Sequence, residues 1–262
     1  VTVGSEVLRV LRAAAVLVLA CVAVTCDTKT GPNDAIAIEF SGQQQPSIVN
    51  GDQLRDTLGN VDSLVATVFN SSGDTIHGAP LRYVHADTSH VVSIDSVTGH
   101  VTAIDTGFAR VVAQAGSLQS PPETLFVVAT PTLFSNVTAL EDTLHFAAVR
   151  SDTLFPLTVV VTSGTDPVNH YRVEYSFLYP AALNTPDSTQ LLLTDENRKF
   201  SLVDTTGTAA TAGSGAATRY LRISAFTHFV SDTVVIEARA FLPNHTPISG
   251  SPLRFKVHVQ IP

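Results

Sequence analysis

The side chains in this chain that could do chemistry are few and far apart. Asp105-Thr106-Gly107 sets a carboxylate beside a turn residue, the kind of unit that activates water when two carboxylates share one proton. The sequence offers no comparable partner for Asp105, and a turn between two strands accounts for Gly107 as well. Ser214 stands in Ala212-Gly213-Ser214-Gly215-Ala216, where the glycines are too close together for a strained nucleophile elbow. His85 and His90 are the closest of nine histidines, at a spacing that suits neither one helix face nor alternate strand positions, so no zinc or copper site is expected. Phosphate-cradling glycine loops and Asp-rich calcium loops are lacking. The pattern implies no enzyme, no cofactor and no metal.

Only two cysteines occur, Cys21 and Cys26. Both lie near the amino end, so no disulfide is expected to staple the rest of the chain, which must stand on core packing. Cys21 sits in a more telling context. Arg9 and Arg12 lead into an apolar run, Ala13 to Val24, that contains Val18-Leu19-Ala20-Cys21. At 12 residues the run is too short to cross a hydrocarbon core, which needs about 20. Its layout resembles a bacterial lipoprotein leader cut just before a cysteine. Residues 1–20 are therefore expected to be a signal peptide, Cys21 the lipid attachment point, and 21–34 a polar tether. Cys26 is a poorer site because Thr25 precedes it.

Removal of that leader would take Glu6, Arg9 and Arg12, moving the net charge from -8 to -9. An acidic protein is a poor partner for a nucleic-acid backbone and lacks a polybasic grip on anionic lipid. Membrane attachment would have to be covalent. One acyl chain holds weakly at about 0.8 kcal/mol per buried CH2, and two or more hold firmly.

The elements that would carry any exported function are strands. Charged residues make up 15% of the chain, below the usual quarter, while Gly, Pro, Thr, Ser and Val are prominent. Short β-branched and aromatic runs recur about every ten residues, at Ala35–Phe40, Ser63–Phe69, Leu81–Ala86, Val91–Asp95, His100–Ile104, Ala109–Gln114 and Thr124–Ala129. Turn chemistry separates them, as at Asn70 to Asp74 and Ser96 to Gly99. Strands at this spacing predict an antiparallel sandwich.

One stretch carries a family likeness. Gly51-Asp52, Val65-Ala66-Thr67-Val68, Pro80-Leu81-Arg82-Tyr83, Val92-Ser93-Ile94-Asp95, Thr98 to Ala103 and Gly107 to Ala113 follow one another in order. Over roughly residues 34–129 the chain resembles the bacterial immunoglobulin-like group 2 domain, which usually has Trp where Tyr83 stands. The resemblance implies a small β-sandwich of the kind found in invasin- and intimin-like surface proteins, and it brings no catalytic residues.

Residues 130–262 predict a second sandwich, immunoglobulin-like or fibronectin-like. Tyr171, Val173, Tyr175 and Phe177 alternate with His170, Arg172, Glu174 and Ser176. Leu253, Phe255, Val257 and Val259 alternate with Arg254, Lys256 and His258 in the same way, and Val234–Phe241 reads as a third strand. Residues 205–218 are low in complexity and predict a loop. The expectation is thus an all-β chain of two tandem immunoglobulin-like sandwiches, 35–129 and 130–262. Its predicted role is non-enzymatic, as a lipid-anchored protein of the cell envelope, on the outer membrane or cell surface, serving adhesion, scaffolding or partner binding.

The partner surface is expected on the loops at Ser163–Asn169, Pro180–Thr189 and Asp204–Thr218, facing a protein or glycan. The alternative is a polysaccharide-recognising accessory module for a hydrolase. That reading needs an exposed aromatic strip, whereas most Tyr and Phe fall in phase with inward positions. Tyr179, Phe226 and Phe229 are the aromatics whose direction alternation does not decide.

Overall fold

A computed structural model describes residues 34–42, 45–145, 153–179, 191–207, 213–223 and 232–260. Cys21 and the leader lie outside the described residues, as do Phe226, Phe229 and the Pro180–Thr189 loop. The described residues contain strands and turns but no α-helix. None offers a helix long and apolar enough to cross a membrane.

Nine strands form the first sandwich: β1 (Ala35–Phe40), β2 (Ile48–Val49), β3 (Ala66–Asn70), β4 (Arg82–His85), β5 (Val92–Ile94), β6 (Val101–Ala103), β7 (Gly107–Ala115), β8 (Leu118–Gln119) and β9 (Glu123–Val128). One sheet runs β2-β9-β7-β4, with β8 folded back on β7; β1 pairs with β3, and β5 with β6. Alternate residues in the middle of β7, Ala109, Val111 and Ala113, point inward and are fully buried. They meet Ile38, Val68, Tyr83, Val92, Val101, Leu125 and Val127 in one apolar cluster. Burying a large aliphatic side chain of this kind contributes roughly 1.5–3 kcal/mol.

Ten strands form the second sandwich: β10 (Leu133–Asn136), β11 (Glu141–His145), β12 (Thr153–Ser163), β13 (Asp166–Pro167), β14 (Arg172–Tyr179), β15 (Leu191–Thr194), β16 (Val203–Thr205), β17 (Ala216–Ile223), β18 (Asp232–Arg239) and β19 (Leu253–Gln260). Two sheets, β10-β12-β17-β15 and β11-β19-β18-β14-β16, face one another. The alternation read in the sequence is realised. Tyr171, Val173, Tyr175 and Phe177 from β14 and its approach, and Phe255, Val257 and Val259 from β19, are all buried in one core.

The two sandwiches follow the same chain path, which is what makes both immunoglobulin-like. In each, the opening strand pairs antiparallel in one sheet, β1 with β3 and β10 with β12. The chain then crosses to the other sheet and runs parallel to the closing strand, β2 with β9 and β11 with β19. The purely antiparallel expectation therefore fails at these two edges. Tandem repetition of hairpins cannot create a parallel pair; only the sheet switch does.

The segment expected as a loop at 205–218 is partly ladder. Thr205 ends β16, and Ala216 to Thr218 open β17, with Ala217 completely buried. Small residues that look featureless in sequence are here the ones that let two sheets approach.

The two cores touch. Val49 and Val128, on strands of the first sandwich, belong to the apolar cluster of the second. At the same junction the Phe126 and His170 rings stack with centroids 3.7 Å apart and planes at 6°. Gly59 approaches the Pro243 carbonyl so closely that an added Cβ would lie 2.9 Å from that oxygen. With φ at +85°, Gly59 also occupies backbone space that other residues avoid.

Candidate functional site

Asp105 is exposed, and its Oδ1 accepts the Thr106 N–H at 2.7 Å, a local turn contact ahead of β7. Gly107, with φ at +139°, starts that strand, so its place is explained by the turn. Ser214 lies on the turn into β17, where its Oγ accepts the Ala216 N–H at 3.3 Å. His85 sits on β4 with its Nδ1 buried, while His90 is exposed in the following loop. Among the described residues no group of three metal-binding side chains converges. Among the described residues, Asp105, Ser214, His85 and His90 stand on separate turns, loops and strands.

Polar side chains do converge at the junction between the sandwiches, around a cleft of about 60 Å³, room for a few waters. Arg55 is gripped there by Asp52, Nε to Oδ2 and Nη2 to Oδ1 both at 2.9 Å, and its Nη1 donates to the Gly59 carbonyl at 2.8 Å. Across the cleft, the Tyr171 hydroxyl donates to the Phe241 carbonyl at 2.5 Å. Phe241 in turn stacks on His245, with centroids 4.6 Å apart. Arg172 Nε donates to Glu174 Oε1 at 2.9 Å at the mouth.

The electrostatics of this cleft favour holding over reacting. Partial burial opposes the Asp52 charge. The hydrogen bonds from Arg55 and from the Gln53 N–H, helped by the Arg55 charge, outweigh it and lower the Asp52 pKa. Burial, seconded by the Asp52 charge, pushes the Tyr171 hydroxyl well above the ordinary tyrosine value. Both groups therefore move away from neutral pH, the reverse of what a general acid–base pair requires.

A second polar surface lies on the outward face of the β11-β19-β18-β14-β16 sheet. Glu237 is only 1% exposed and takes Arg239 on its own strand and Arg254 from β19, the latter at 2.9 Å. Glu141 on β11 accepts Lys256 Nζ and pairs with His258 Nε2, both at 2.9 Å. Each carboxylate on this face answers the cations beside it, so little charge is left for a partner.

The outward face of the first sandwich differs. Because Ala109, Val111 and Ala113 point in, Phe108 and Arg110 point out, and Phe108 is 53% exposed. Phe108 stands opposite Phe126 across the β7–β9 ladder, and Phe126 carries His170 on its ring. Three rings thus run in a row from the first sandwich onto the second. An open groove of about 310 Å³ beside them is lined by Gly107, Phe126, Asp166, Asn169 and His170. The sequence pattern held the signal: the inward phase of β7 requires Phe108 to face out.

Of the segments expected to carry a partner surface, Ser163–Asn169 borders this groove. It is a tight hairpin between β12 and β13. Tyr179, at the end of β14, is 53% exposed but stands apart from the row.

No protein-family model matches the sequence, and no curated protein does. Among solved structures, the chain is similar to the surface layer protein SbsC, domains 1–6, at 12% identity and a TM-score of 0.31, over 87% of this chain and 29% of that one. It is similar to the fibronectin(III)-like modules of CbhA from Clostridium thermocellum at 12% identity and a TM-score of 0.32, over 86% and 94%. The adhesin InvE of Yersinia pseudotuberculosis is similar at 14% identity and a TM-score of 0.34, over 88% and 61%. The chain spans less than a third of the SbsC fragment. At such TM-scores none of the three carries an argument about activity. The immunoglobulin-like architecture rests on the strand pairing itself.

Proposed function

We propose that this chain is a non-enzymatic, exported cell-envelope lipoprotein whose two immunoglobulin-like sandwiches, 35–129 and 130–262, serve adhesion, scaffolding or partner binding. The first is read as a group 2 domain, with the hairpin of β5 and β6 and the following β7 carrying that likeness. Residues 1–20 are the leader, Cys21 takes the lipid, and partners are the membrane through that lipid and a protein or glycan at the surface, not nucleic acid. The observation that supports the reading best is the tandem of sandwiches whose buried and clustered charges are spent on one another, at Asp52–Arg55 and around Glu237. Such a molecule is built to hold a surface rigid, with the loops and outward faces left for recognition.

Intact mass and detergent partitioning of the expressed protein, beside a Cys21→Ser variant, test this. A diacyl or triacyl mass on a chain starting at Cys21, lost in the variant, is the expected result. An unlipidated chain cut elsewhere overturns the anchor.

A second reading, a polysaccharide-recognising module, is favoured by one observation: the outward row Phe108, Phe126 and His170. Flat ring faces suit the apolar face of a pyranose. Retardation of the protein in gels containing polysaccharide tests it.

A further inference from the structure

Arg82 and Arg110 share the outward face of the first sandwich with the aromatic row. Both are exposed, and among the described residues neither has an ion-pair partner. Arg110 lies two residues along β7 from Phe108, on the same side of the sheet, and opposite Thr124 of β9. Two residues of strand separate their Cα atoms by about 7 Å. Arg82 stands opposite Gln114, four residues further along β7. The face therefore carries, in order along the β7–β4 pair, an aromatic platform, a cation, a stretch where Val112 is buried and Val84 half-buried, and a second cation.

This arrangement is unusual for the molecule. The chain carries a net charge of -8, and on the second sandwich Arg172, Arg219, Arg239 and Arg254 are each tied to a carboxylate. Two free guanidinium groups on an acidic protein mark a place where negative charge is welcome. Guanidinium recognises a carboxylate through paired N–H groups, which gives geometry as well as attraction. The rings beside it offer apolar faces that a carboxylate-bearing peptide backbone would not fill and a sugar ring would.

We propose that the outward face of the β2-β9-β7-β4 sheet is a binding site for a carboxylated polysaccharide, a chain of pyranoses bearing uronate groups. Phe108 takes a ring face, Phe126 adds the face that His170 leaves uncovered, and Arg110 and Arg82 take carboxylates of sugars that are not adjacent. His170, stacked on Phe126, fixes the platform from the second sandwich, and the groove beyond it, where Asp166 carries a carboxylate, lies outside the site. The proposal rests on the polysaccharide reading above and names its ligand class and its site.

Affinity electrophoresis of the intact protein tests it, in gels containing polygalacturonate, dextran or poly-glutamate, with Phe108→Ala and Arg110→Gln variants. The expected result is retardation by polygalacturonate, weakened at least tenfold in each variant and reduced by added salt, with little effect of dextran or poly-glutamate. Phe108 and Arg110 are exposed, so circular dichroism should report an unchanged fold in both variants. Equal retardation by poly-glutamate would show charge attraction alone and overturn the site. Binding of polygalacturonate that neither variant weakens, or of dextran instead, would overturn this site while leaving polysaccharide recognition standing. Retardation by none of the three would sink both.

Discussion

Tyr83 and Tyr175 hold matching positions in the two sandwiches, and each faces an alanine across the ladder, Ala113 for one and Ala238 for the other. Both point inward from strands that flank the sheet's central strand, β7 or β18, and both are buried. A small partner on the neighbouring strand leaves room for a ring that fills the space between sheets. Tyr175 goes further, its hydroxyl donating toward the carbonyls of Leu157 at 3.2 Å and Ala217 at 3.1 Å. That places the hydroxyl between β12 and β17 of the opposite sheet, tying the two layers together. Burial pushes its pKa well above the ordinary tyrosine value, so it remains a donor across the whole working pH range.

Tyr175→Phe should destabilise the protein by about 1 kcal/mol, the usual net worth of a buried hydrogen bond. Tyr175→Ala should cost about 3–5 kcal/mol because it leaves a cavity as well. Urea unfolding followed by circular dichroism separates the two. Equal losses in both variants would mean that the hydroxyl, and not the ring, carries the contact.

Gly99→Ala should cost about 1–3 kcal/mol. Its φ is +73°, and an added Cβ would lie 2.7 Å from the Leu64 carbonyl oxygen and 3.0 Å from the Tyr83 ring. Gly116→Ala, where φ is also positive but nothing lies within 4 Å, should cost no more than about 1 kcal/mol. The difference between their urea midpoints isolates steric crowding from backbone strain.

Acid should loosen the edge of the second sandwich through Glu141. Hydrogen bonds from His258 and then Lys256, with the Lys256 charge, lower its pKa to about 2 from the ordinary 4.5. A folded value below the unfolded one means that its contribution is complete above about pH 4.5 and disappears as the pH falls toward 2. Glu141→Gln should flatten that part of the stability profile, and high salt should do the same because the cluster is exposed. Urea midpoints measured from pH 2 to 5 test both.

The Phe126–His170 stack should couple the sandwiches by about 0.5–1.5 kcal/mol in a double-mutant cycle with Phe126→Leu and His170→Ala. Burial lowers the His170 pKa below its usual 6.5. The neutral ring therefore adds stability above that value, and the addition fades as the pH falls through the lowered one. A cycle that sums to zero would show two sandwiches that merely touch.

Much of the fold was legible in the sequence because strands buried on one face alternate strictly. The Ala35–Phe40 strand has the bounds expected, and Tyr171 to Phe177 face the side expected. Strands of two residues, such as Ile48–Val49, leave no periodic trace. Their pairing is decided by a sheet switch made many residues away. The aromatic row was half legible. Phase alone turns Phe108 outward, but no local signal says that Phe126 meets His170, 44 residues later and across the junction. Tyr179 was undecidable because its strand carries a register shift between Phe177 and Tyr179.

The parallel pairing of each sandwich's second strand with its closing strand has a mechanical meaning. In the second sandwich, β11 and β19 lie side by side over five residue pairs, Glu141 with Lys256 through His145 with Gln260. Tension entering through one strand and leaving through the other pulls them lengthwise past each other. Their ladder bonds then share the load together, whereas a hairpin peeled from its end yields them one at a time. Among the described residues the first sandwich has two such pairs, Ile48 with Val127 and Val49 with Val128, so its clamp is the shorter of the two and is expected to yield at the lower force.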